Sequence, residues 1–154
     1  MGYLSDLRKA VGSRPIFMVG AGVLLLDRQG RVLLQHRTDS DDWSTPGGAC
    51  ELGESLEQTA RRELMEEAGL EVGELKLFCL LSGAEFYYRY PNGDEVYNVS
   101  AIFLGRYEGE EITPDAEETK ELRFFDLDSL PAIMGPVNQK ALELLLEARN
   151  RGEL

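Results

Sequence analysis

The chain has 154 residues, 43% of them apolar, which is enough for one domain with its own core. Its formal net charge of −12 sets it against nucleic-acid backbones and anionic lipid, and argues against long nucleic acid as a partner. A phosphate-rich small molecule would be repelled as well, so a substrate of that kind calls for cations between it and the protein.

The N-terminal MGYLSDLRKAVG has no apolar segment of the signal type. No apolar run approaches the ~18 residues of a membrane span. Cys50 and Cys79 have no metal-type spacing and form no disulfide framework. Together these lead to the expectation of a cytoplasmic protein that does not cross a membrane. Ser5 is placed to cap a short helix that Gly12 stops, within an N-terminal element over residues 1–14. After Pro15, IFMVGAGVLLL is apolar and reads as a buried strand. Asp27-Arg28-Gln29-Gly30 is a turn, and RVLLQHR follows as the second arm of a hairpin. DSDDWSTPGGACELGE reads as loop.

Ser55 and Gln58 fit a capping box, and a helix is expected from there to Ala68, with Gly69 as its stop. Leu56, Ala60, Leu64 and Ala68 give it an apolar stripe. ELKLFCLLS is a strand. EFYYRY, the turn Pro91-Asn92-Gly93-Asp94 and EVYNVSAIFLGRY form a second hairpin. EGEEITPDAEETKE is an acidic loop, LRFFDL a short strand, and Gly135-Pro136 opens a last amphipathic helix. The order helix, hairpin, helix, strands, helix predicts a single α/β domain over 1–154, with a mixed sheet covered on both faces by helices. Asn98-Val99-Ser100 matches a glycosylation acceptor, which carries no weight without a secretory signal.

One stretch of the central helix is costly. In RRELMEEAGL, Glu63 lies beside both Glu66 and Glu67 on one helix face. Like charges at that spacing destabilise by roughly 0.2–0.5 kcal/mol per pair. By itself the stretch reads as a solvated acidic helix face. Its left flank changes that reading. From Gly48 to Leu70 the chain runs GACELGESLEQTARRELMEEAGL. This resembles the Nudix box, G-x5-E-x7-R-E-U-x-E-E-x-G-U with U a bulky aliphatic, and all nine specified positions are matched. The preceding Trp43 and Pro46-Gly47 resemble the family's usual lead-in.

The resemblance implies a Nudix-type α/β/α sandwich and hydrolysis of a nucleoside diphosphate linked to another group X. It also implies a divalent metal, Mg²⁺ or Mn²⁺, since hard cations take carboxylate oxygens and keep positions open for phosphate and water. By resemblance Glu63 and Glu67 are the core metal ligands and Glu66 a further one. Gly48 lets the loop approach the metal closely. Arg62 orients the carboxylates, and Glu54 pairs with Arg62 or reaches a metal through water. The box leaves the general base open between Glu63 and a later loop carboxylate among Asp115, Glu117, Glu118 and Glu121, with Glu118 and Glu121 favoured. Arg37 is a candidate phosphate binder. His36 reads as a surface residue at a strand end. Trp43 is placed either to stack on a base or to pack beneath the loop.

Phe86, Tyr87, Tyr88 and Tyr90 read either as sheet packing, a dimer surface included, or as a platform for a base. The family's hydrolases of diadenosine polyphosphates often carry a tyrosine at a characteristic distance past the box, and Tyr87 and Tyr88 stand seventeen and eighteen positions after Leu70. The proline of the ADP-ribose subgroup has its nearest counterpart in Pro91, too late. The NADH subgroup's motif is absent. Dinucleoside polyphosphates therefore lead, followed by nucleoside triphosphates, ADP-ribose and RNA ends. A non-hydrolysing nucleotide sensor is the competitor from another class, and such members usually lose box glutamates, none of which is lost here. Resemblance to the family also raises the expectation of a homodimer.

Overall fold

The computed structural model describes residues 2–115, 117 and 119–154. Its centre is a pair of long strands, β1 (Ile16–Leu26) and β7 (Glu95–Arg106), which run parallel in register from Ile16 opposite Val96 to Leu26 opposite Arg106. Around them lie β2 (Val32–Arg37), β3 (Trp43–Ser44), β4 (Gly47–Ala49), β5 (Lys76–Leu81), β6 (Tyr87–Arg89) and β8 (Thr119–Phe125). The sheet order is β3-β2-β1-β7-β5, with β4 on β1, β6 on β7 and β8 on β2. This is the expected mixed sheet.

The first hairpin is looser than the sequence suggests. β2 meets β1 only at Val32 opposite Leu26, and its main ladder is with β8, from Val32–Phe125 to Arg37–Thr119. The reason is steric. The edge of β1 at Gly20–Gly22 is taken by β4. Two short strands, β3 and β4, thus lie in a segment expected to be loop.

Helix α1 spans Tyr3–Val11 and starts two residues before the expected cap, with Gly2 at its N-cap and Ser5 inside it. A long-range contact sets that start: Tyr3 N–H donates to Glu51 Oε1 at 2.8 Å. Helix α2 spans Leu56–Ala68 and behaves as its sequence predicts. Ser55 Oγ accepts from Gln58 N–H at 3.1 Å, and Gln58 Oε1 accepts from Ser55 N–H at 2.8 Å. Gly69 closes it in the left-handed region at φ 66°. Helix α3 spans Gly135–Asn150 and opens with Pro136 in its first turn.

The period-2 alternation of the strands sorts the core into two layers. Val23, Leu25, Leu33, Ala101 and Phe103 meet Ala60, Leu64 and Ala68 of α2. Leu24, Leu26, Leu34 and Ile102 meet Ala141, Leu142 and Leu145 of α3. Each buried leucine contributes about 1.5–3 kcal/mol, so Leu64→Ala would cost about 2–5 kcal/mol.

Helix α2 covers only part of its sheet face. Beyond it Phe17, Val19 and Tyr97 are exposed, as are Leu77 and Leu80 of β5, so the first half of IFMVGAGVLLL is not the buried strand its composition suggests. Among the described residues no helix is long and apolar enough to cross a membrane.

Candidate functional site

The site is built where β4 is pressed between β1 and α2. Gly47 and Gly48 make that approach possible. A Cβ on Gly47 would strike the backbone of Ala21 and Gly22, and one on Gly48 would lie 2.5 Å from Glu63 Oε1. With only hydrogens there, the Pro46-Gly47-Gly48 backbone comes directly against the carboxylate face of α2. Gly47 N–H donates to Glu67 Oε2 at 2.9 Å. Glu67 is 5% exposed, unusual for a glutamate. Burial, and then the nearby charge of Glu63, raises its pKa to about 8. The Gly47 N–H and the Gln35 side chain pull the other way.

Arg62 organises the neighbouring carboxylates. Its Nε and Nη2 grip Glu54 at 2.6 and 3.0 Å, and Nη2 also donates to the Ala49 carbonyl at 3.0 Å. Nη1 donates to Glu63 Oε1 at 2.9 Å and reaches Glu66 at 3.3 Å. This bidentate grip holds Glu54 down to about pH 2 in its titration. One guanidinium therefore fixes the loop–helix junction and aims Glu63. The end of α2 is closed by the following loop: Thr113 N–H donates to the Ala68 carbonyl at 2.7 Å, and Asp115 N–H to the Glu67 carbonyl at 3.2 Å.

These residues suit a hard divalent cation. Glu63 and Glu67 sit one helical turn apart, and the charge of one works against ionisation of the other inside a partly buried site. A cation between them would remove that conflict, and carboxylate oxygens are the donors a hard cation takes. Among the described residues no three His, Cys, Asp or Glu side chains already converge on one point. Glu63 and Glu67 both line the cavity and could hold a cation there, while Glu66 lies at the exposed rim.

The carboxylates open into a cavity of about 310 Å³. Its walls include Gly20 and Gly22 of β1, Asn98 and Ser100 of β7, Arg37, Tyr88, Tyr90 and the start of α3 at Gly135–Asn138. Arg37 forks onto Asp39 at 2.9 and 3.0 Å. Burial works against its charge, and the Asp39 carboxylate more than offsets that. Tyr88 and Tyr90 pack edge to face at 4.9 Å. Asn138 Oδ1 accepts from Thr45 N–H at 3.0 Å and from Thr45 Oγ1 at 2.7 Å, tying α3 to the loop before β4.

Residues 16–145 match the family model described as NUDIX domain. The chain belongs to the Nudix hydrolase family. It is 30% identical over 145 residues to an RNA pyrophosphohydrolase of Wolbachia pipientis subsp. Culex pipiens, covering 82% of this chain and 85% of that one. It is 31% identical over 112 residues to an oxidized purine nucleoside triphosphate hydrolase of Danio rerio, covering 71% of this chain and 67% of that one. Among solved structures, the MutT NUDIX hydrolase from Burkholderia pseudomallei superposes with a TM-score of 0.69 at 27% identity, over 85% of this chain and 98% of that chain. The protein is an enzyme acting on phosphoanhydride bonds, of a family that generally uses divalent metal ions.

Within this Nudix fold the sequence candidates separate. Gly48, Arg62, Glu63, Glu66 and Glu67 are gathered around one turn of α2, with Arg37 and Tyr88 on the cavity wall. Tyr87 points elsewhere: its hydroxyl donates to Glu95 and its ring meets Tyr97. Trp43 does not line the cavity. It is 9% exposed, stacked on His36 at 4.6 Å and edge-on to Phe125, so it packs beneath the loop. Glu121 is paired with Arg123 at 2.8 Å and stands opposite His36 in the β2–β8 ladder. Paired residues share a face, so Glu121 is on the side away from Gln35 and Glu67. Glu118 lies outside the described residues.

Sequence reasoning passed over Gln35, and gave Asn98 and Ser100 no place in the site although both line the cavity. Gln35 is 2% exposed, accepts from Thr119 Oγ1 at 2.9 Å and turns its amide toward Glu67 without completing a hydrogen bond. A glutamine interrupting the apolar run VLL was the available signal.

Proposed function

We propose that the chain is a divalent-metal-dependent pyrophosphohydrolase of small nucleotides, cleaving a nucleoside diphosphate linked to X with Mg²⁺ or Mn²⁺. The observation that carries this is the buried Glu67, held by Gly47 N–H beside Glu63, in the wall of a cavity of about 310 Å³. Glu63 and Glu67 would hold the metal, with Glu66 at the rim. When bound, it would polarise the phosphoryl oxygens and lower the pKa of an attacking water.

The chain's own residues supply the geometry. Gly47 N–H orients Glu67. Arg62 orients Glu63 and ties it to Glu54 and the β4 backbone. Burial and Glu63 favour the protonated form of Glu67 in the metal-free site, and a bound cation would favour its ionised form. Arg37 stands on the cavity wall with its charge intact, where a phosphate passes. The Tyr88 ring forms part of the wall beside it.

Tyr88 on the cavity wall supports dinucleoside polyphosphates as the leading substrates. The names of the relatives favour a second reading, nucleoside triphosphates or RNA, and the net charge of −12 weighs against the RNA. Chromatographic product analysis tests both: diadenosine tetraphosphate, ADP-ribose, dGTP and oxidised dGTP are incubated with protein and Mg²⁺, beside Glu67→Gln. Variant-sensitive cleavage of one substrate is expected, and its product pair names the bond. Equal rates for the wild type and Glu67→Gln would overturn the assignment of the site.

A further inference from the structure

The Asn98-Val99-Ser100 triplet has no part in the chemistry above. Strand alternation puts Asn98 and Ser100 on one face of β7, and both line the cavity. Asn98 is only 6% exposed. Its Nδ2 donates to the Phe86 carbonyl at 3.0 Å. A carbonyl can only accept, so this bond fixes the amide flip, with nitrogen toward Phe86 and oxygen turned the other way. Among the described residues Oδ1 accepts no hydrogen bond. An acceptor on the cavity wall that no group of the described residues meets is placed for a ligand that donates to it.

The position fits a nucleobase. Gly47, which holds Glu67, pairs with Gly22, whereas Asn98 pairs with Met18, four residues farther along β1. At the rise of a strand this is about 13 Å, the scale of a nucleotide laid from its phosphates to its base. The walls near that end are apolar and aromatic, with Met18, Tyr88 and Tyr90. We infer that Asn98 is the residue that reads the base, its Oδ1 accepting from an N–H on the base edge, and that it sets a preference for bases that carry such a donor.

The inference rests on the nucleotide reading of this cavity but not on hydrolysis, so the test uses monophosphates, which hold no anhydride to cleave. AMP, GMP, CMP and UMP are titrated against the full chain by calorimetry, beside purine riboside 5′-monophosphate, whose base edge has no N–H. At least one natural nucleotide is expected to bind about tenfold more tightly than the analogue. Asn98→Leu should erase that difference.

If no natural nucleotide outbinds the analogue, or if Asn98→Leu weakens all of them alike, the inference is overturned. A second readout serves if that variant does not fold. The Asn98 side-chain amide resonances of the wild type should move with the preferred nucleotide and not with the analogue, and a failure to move overturns the inference. A preference found in a protein that cleaves no anhydride would sink the hydrolase reading alone; cleavage without a preference would sink only the role of Asn98.

Discussion

Gly47 and Glu67, twenty residues apart in the chain, are joined by one hydrogen bond of 2.9 Å from backbone N–H to Oε2. That bond positions a buried carboxylate by a group that cannot rotate away. It also makes Glu67 dependent on the β4 backbone, and so on the glycines that let β4 approach.

The two adjacent glycines should therefore fail differently. Gly47→Ala drives a Cβ into backbone, 2.7 Å from Gly22 Cα, with no side chain to give way. Gly48→Ala meets only the end of the Glu63 side chain, 2.6 Å from Cδ. Gly47→Ala is expected to cost about 1–3 kcal/mol of stability. Gly48→Ala should keep the fold and lose at least about tenfold in turnover as Glu63 is displaced. Thermal melts beside initial rates separate the two, and equal melting points would contradict this account.

Glu67→Gln removes charge from a site where burial and Glu63 already oppose it. The metal-free variant should melt at or above the wild-type temperature, while turnover falls by about a hundredfold or more. Added millimolar Mg²⁺ should raise the melting point of the wild type and have little effect on the variant. A variant that responds to Mg²⁺ as the wild type does would remove Glu67 from the metal site.

The raised pKa of Glu67 also gives a pH dependence with a definite sign. In the unfolded chain this carboxyl titrates at its ordinary value near 4.5, and in the fold at about 8. Between those values the folded state binds more protons, so this group's contribution to stability is lost as pH rises through that window. Urea titrations of the metal-free protein at pH 5, 6.5 and 8 should show the decline, and Glu67→Gln should flatten it. Stabilisation by metal should grow over the same window, because the cation displaces the proton.

Arg62→Lys keeps the charge and loses the fork. Lysine cannot hold both oxygens of Glu54, the Ala49 carbonyl and Glu63 at once. A loss of about 2 kcal/mol is expected, with a larger loss in turnover than the stability change explains. Full activity in Arg62→Lys would show that charge alone suffices there.

What the sequence determined by itself is what a helix and its flanks encode locally. The capping box at Ser55, the stop at Gly69 and the placing of Glu63 and Glu67 on one face follow from spacing along one element, and the structure has all three. What only the tertiary structure decided is which residues of the strands face the site. Tyr87 and Tyr88 are neighbours, yet pairing with β7 turns one toward Glu95 and the other into the cavity. Glu121 lies opposite His36 and faces away from Gln35, while Thr119, two residues earlier, reaches Gln35 because the β2–β8 ladder shifts register between His36 and Arg37. The physical reason is that a strand's side chains alternate with period 2, so a single step in register exchanges one face for the other. That register is set by distant partners, β1 with β4 and β2 with β8, which no short stretch of sequence contains.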